Sequence, residues 1–107
     1  MSNLLKVTDS DFKKKVQDAN LPAMVFFSAT WNGVSRQMSP ILDTVKDEYQ
    51  GKLNFYEMDV DSNPATPGKF GVSSIPTMLI FENGKIVGTK IGSLPRSAME
   101  NFIDESL

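Results

Sequence analysis

The run Ala23-Met24-Val25-Phe26-Phe27-Ser28-Ala29 constrains the fold more than any other stretch, because every residue in it except Ser28 is apolar. Successive side chains of a strand point to opposite faces of its sheet, so an unbroken apolar run belongs to a strand covered on both sides. Such strands occur in largely parallel sheets with helices above and below. The run is therefore predicted to be a central strand.

The flanking segments supply the rest of that sheet. Leu4 to Val7 suits a short edge strand, and Thr8-Asp9-Ser10-Asp11 offers capping oxygens before the helical spacing Phe12, Val16, Ala19. Met38, Ile41, Leu42, Val45 and Tyr49 make one stripe of a helix from about Asn32 to Tyr49. Pro40 removes a backbone donor inside it, which predicts a kink near Arg36 rather than two helices, and Gly51 closes the segment. Leu53 to Val60 reads as a strand, Pro64 to Phe70 as a short helix or turn, and Thr77 to Phe81 as another core strand. Asn83-Gly84 favours a tight turn into a strand from Lys85 to Ile91. A last helix starts at Pro95 and packs Met99, Phe102, Ile103 and Leu107 on the sheet. The order β-α-β-α-β-α-β-β-α predicts an α/β fold, a central mixed five-stranded sheet flanked by helices on both faces.

The chain has 107 residues, which suits one domain over residues 1–107 with an ordinary core. Its formal net charge of −2 offers no basic surface for a phosphate backbone, so nucleic-acid binding by electrostatics alone is not expected. No run approaches the length of a membrane span, and Met1-Ser2-Asn3-Leu4-Leu5-Lys6 lacks the apolar stretch of a secretory signal. A cytoplasmic monomer is the expectation.

Cysteine and histidine are both absent. Thiol-disulfide exchange needs an attacking, a leaving and a resolving sulfur, and the usual general base is missing too. Asn32 has no ionisable nucleophile, and the Ser35 hydroxyl would need a base to attack anything. Two apparent motifs also fail. Asp59-Val60-Asp61-Ser62-Asn63 imitates the opening of a calcium loop, but Pro64 takes the place of its glycine and Phe70 that of its closing acid. Asp61 is read instead as a turn cap. Gly68-Lys69 lacks the upstream glycine of a phosphate loop, and Lys13-Lys14-Lys15 reads as a solvated helix face. Neither a metal nor a cofactor is implied.

From about Pro22 to Leu107 the chain resembles a thioredoxin nearly residue for residue. The resemblance rests on Trp31-Asn32-Gly33-Val34-Ser35, which stands where the family carries Trp-Cys-Gly-Pro-Cys, and on Met38-Ser39-Pro40-Ile41-Leu42-Asp43. It continues through Asp59-Val60-Asp61-Ser62-Asn63-Pro64, Ile75-Pro76-Thr77, Asn83-Gly84 and Lys90-Ile91-Gly92-Ser93-Leu94. It implies the thioredoxin fold. Thioredoxins also hold a buried aspartate six residues ahead of the first cysteine and pair it with a lysine on the next strand to move protons. By that resemblance Phe26 stands at the aspartate position and Glu57 at the lysine position.

Two readings follow. One is a redox-inactive relative that binds a protein or extended peptide segment, and the other a thioredoxin, a protein disulfide oxidoreductase, whose cysteines were removed by mutation or engineering. Changes at Phe26, Val34 and Glu57 as well as at both thiols favour the first. Asn32 is read as a helix cap rather than a catalytic group, with Ser35 a polar residue of the first turn. In the family the loop at Ile75-Pro76-Thr77 holds a cis proline. Pro76 either shapes the turn into Thr77 or lines a peptide groove with Trp31, Gly33, Val34, Ser74, Ile75, Gly92 and Ser93. Glu57 is expected to be buried beside Phe26 without a cation, its pKa raised by desolvation.

Overall fold

Ala23–Ser28 forms the middle strand, β2, and all six of its residues are buried. The computed structural model describes residues 4–107, and Met1 to Asn3 lie outside them. On one side β2 pairs in parallel with β3 (Asn54–Asp59), which pairs in parallel with the short edge strand β1 (Leu5–Lys6). On the other it pairs antiparallel with β4 (Thr77–Glu82), which turns through Asn83 and Gly84 into β5 (Lys85–Ile91). The sheet order is β1-β3-β2-β4-β5, mixed and five-stranded. Asn83 and Gly84 both have positive φ, at 55° and 78°, as a tight hairpin turn of this kind requires.

Alternation along β2 divides the core. Met24 and Phe26 face one layer with Met38, Leu42 and Val45 of α1 (Gly33–Val45) and Met99, Phe102 and Ile103 of α3 (Arg96–Ser106). Val25 and Phe27 face the other layer with Val7, Phe12, Val16, Met58, Leu79 and Phe81. Each such side chain contributes about 1.5–3 kcal/mol by leaving water. Helices therefore cover both faces, as the β2 sequence demands.

Several boundaries differ from the sequence reading. The helix expected to reach Tyr49 ends at Val45 and tightens into a 3₁₀ turn at Lys46–Tyr49, while Pro40 lies within a single α1. The first helical segment shrinks to Lys13–Gln17, closed by Asp18 N–H donating to the Lys13 carbonyl in a wide turn. Pro95 is the cap of α3 rather than its first residue, and Leu107 is exposed rather than packed on the sheet. The short α2 (Ala65–Lys69) is capped from a distance, since the Asp9 carboxylate accepts from Ala65 N at 3.0 Å and Thr66 N at 2.9 Å. Among the described residues no helix is long and apolar enough to cross a membrane.

Candidate functional site

β2 ends at Ser28, and the chain passes through Trp31 before α1 begins, so the Trp31-Ser35 segment sits at the carboxyl end of the central strand. That is where open α/β sheets place ligands. Asn32 is the cap: its backbone is extended, and its Oδ1 accepts from Ser35 N at 2.8 Å. An asparagine here satisfies a free amide of the first turn, the role expected of it. The Asn32 amide also reaches across to the Ile75 carbonyl at 3.5 Å, a weak contact at the limit of hydrogen bonding.

Trp31 is 65% exposed, yet its indole is not free to swing. Its Nε1–H donates to Asp61 Oδ2 at 2.7 Å, which fixes one edge of the ring and leaves a face to solvent. Asp61 therefore holds the tryptophan rather than capping the turn. The turn is capped by Asp59, whose carboxylate accepts from Asp61 N and Ser62 Oγ, both at 3.1 Å. Val34, on the first turn of α1, is 40% exposed.

The opposite rim is the loop leading into β4. The Ile75–Pro76 peptide bond is cis, Ser74 accepts from Thr77 Oγ1 at 2.6 Å, and the Pro76 carbonyl accepts from Gly92 N at 2.8 Å. Pro76 itself is buried, so its ring offers little surface; half-buried Ile75 and exposed Ser74 and Ser93 border it instead. Gly92 has φ of 87°, a conformation that glycine adopts without strain. One rim residue escaped the sequence reading. Ile91 is 63% exposed at the end of β5 and pairs with Thr77, next to Pro76. Its sequence signal is an apolar side chain beside Gly92, at the last position of the Lys85 to Ile91 strand.

Beneath this rim lie the positions that the family resemblance links to proton transfer. Phe26 is completely buried among Met24, Met38 and Met78. Glu57 is buried beside it at 5% exposure, in register with Phe26. The expectation that Glu57 lacks a cation is overturned. Lys6, its register partner on β1, forms an ion pair with Glu57 Oε1, and Ser28 Oγ donates to Oε2 at 2.7 Å. The buried carboxylate thus has a cation on one oxygen and a hydroxyl on the other. Ser35 lies in the first turn of α1, as expected, and is buried at 2% exposure. Among the described residues no group of acids could hold a metal ion.

Comparison with known proteins agrees with the geometry. The Thioredoxin family model matches residues 3–105. The chain is 40% identical over 107 residues to a thioredoxin of Haemophilus influenzae, with 100% of each chain covered. To a thioredoxin of Rickettsia conorii it is 41% identical over 101 residues, 94% of this chain and 96% of the other. To thioredoxin 1 of a Nostoc species it is 35% identical over 107 residues, again 100% of each.

Proposed function

The chain belongs to the thioredoxin family, and we propose that it keeps a peptide-facing surface while having given up thiol-disulfide exchange. Asn32 and Ser35 stand in place of the two cysteines, Val34 in place of the proline between them, and Phe26 and Glu57 in place of the buried acid and its lysine. No sulfur nucleophile remains anywhere in the chain, since cysteine is absent. The partner is a protein or an extended peptide segment. Trp31, Val34 and Ile75 supply its apolar contacts, and Gly33, Ser74, Gly92 and Ser93 let a backbone approach closely.

The observation that carries the proposal is Trp31, an exposed aromatic ring held in place by Asp61 beside the Ile75–Pro76 loop. A fixed ring binds without paying for its own ordering, and such anchors dominate many interfaces. A solvent-exposed tryptophan with no partner would have little reason to be clamped.

The immobilised chain, challenged with lysate of its source organism, tests this. Trp31→Ala is expected to weaken capture of the bound protein about 30-fold, the equivalent of about 2 kcal/mol. Lys14→Ala, on an exposed face elsewhere, is expected to change nothing. Capture by Trp31→Ala at wild-type levels would contradict the proposal.

A further inference from the structure

We propose that the cavity between the start of α1 and the sheet is a hydration site, in which water bonds Ser35 Oγ and links it to the Glu57 carboxylate. The cavity measures about 40 Å³, and Ser28, Ser35, Ser39, Glu57 and Ala29 are among its walls. A buried water needs roughly 10–15 Å³ on this measure and two or more polar partners, so the space suffices. Ser35 Oγ supplies the need. It is fully buried and has no hydrogen-bond partner among the described protein groups. A hydroxyl left in that state carries its full desolvation penalty with nothing to offset it.

The alternatives within the fold are already committed. Asn32 Oδ1 takes the Ser35 amide, and the Ser35 carbonyl accepts from Ser39 Oγ at 3.2 Å. The Ser28 hydroxyl donates to Glu57 and keeps its lone pairs, as does that of Ser39. Much of the remaining wall is carbon, so a guest is held at few points. Ser35 Oγ is the one of them that lacks a partner among the described protein groups.

Charge selects the guest. Lys6 and Arg36 border the cavity, and so do Glu57 and Asp59. An anion drawn to the amides of α1 would meet two carboxylates, and a cation would meet two basic side chains. A small neutral molecule that both donates and accepts fits all of them, and water is the smallest. The resulting bridge runs from α1 through water to Glu57 on β3 and Lys6 on β1, so it ties the helix start to the sheet edge. It does not depend on the peptide-binding proposal.

A high-resolution crystal structure combined with thermal unfolding of Ser35→Ala tests it. The expected result is density for water within hydrogen-bond distance of Ser35 Oγ, together with a Tm about 4 °C lower in the variant, the loss of a bridged bond. A dry cavity gives the opposite sign, because alanine would remove an unpaired hydroxyl and raise Tm. An unchanged or raised Tm, or no water density at Ser35, overturns the proposal.

Discussion

Glu57 shows how one distant residue reverses the meaning of another. A buried carboxylate alone would be better replaced by its neutral amide, but Lys6 and Ser28 give this one an ion pair and a hydrogen bond that the amide would weaken. Glu57→Gln is therefore expected to lower stability at neutral pH by about 1–2 kcal/mol in denaturant unfolding; a gain would mean that Lys6 does not hold it. Tyr49 behaves differently. Burial, then the bond from its hydroxyl to Asp104 Oδ1 at 2.8 Å, then the charges of Asp104, Glu100 and Glu48 push its pKa up from 10.0 to about 12. The folded value exceeds the unfolded one, so the stability contributed is whole below pH 10 and is lost as pH rises toward 12. Tyr49→Phe should flatten that alkaline decline, and titration of tyrosinate absorbance should show one of the two tyrosines ionising late. Two ordinary transitions near pH 10 would contradict it.

Elements built from local pattern were legible, and those set by remote contacts were not. The apolar run of β2 and the Asn83-Gly84 turn carry their structure in adjacent residues. The first helix does not: the spacing of Phe12, Val16 and Ala19 suggests a longer helix than the five residues formed, and the apolar spacing alone cannot tell where the turn ends. The ion pair at Glu57 spans 51 residues and depends on parallel register between two strands, which no local pattern encodes. The same holds for Asp9, whose carboxylate caps α2 rather than the helix it precedes. The site was legible in part, because Trp31, Asn32 and Ile75-Pro76 are sequence marks, whereas burial of Ser35 and exposure of Ile91 follow from packing. Gly88 is another packed position: a Cβ there would lie 2.2 Å from Ser106 Oγ, 2.9 Å from Ser106 Cβ and 3.0 Å from Phe102 Cε1. Gly88→Ala is expected to cost about 1–3 kcal/mol by pushing α3 off β5, and Ser106→Gly in the same chain should recover part of it. Full stability of Gly88→Ala would show that α3 shifts freely.

At the scale of the molecule, the sheet delivers three separate segments to one end. The carboxyl end of β2 presents Trp31 and the start of α1, the loop before β4 presents Ile75 and Pro76, and the end of β5 presents Ile91 to Ser93. This geometry needs no thiol, since the cap at Asn32, the Asp61 clamp and the Gly92–Pro76 bond require no sulfur. A surface that depends on three strands can be read out amide by amide. The most direct measurement is an NMR titration of the labelled chain with the segment of the captured protein that binds it. The account predicts amide shifts concentrated at Trp31 to Val34, Ser74 to Ile75 and Ile91 to Ser93, with a matching change at the Trp31 indole N–H. Shifts centred on β1, the Lys13–Gln17 segment or the exposed face of α3, with the Trp31 indole unmoved, would contradict it.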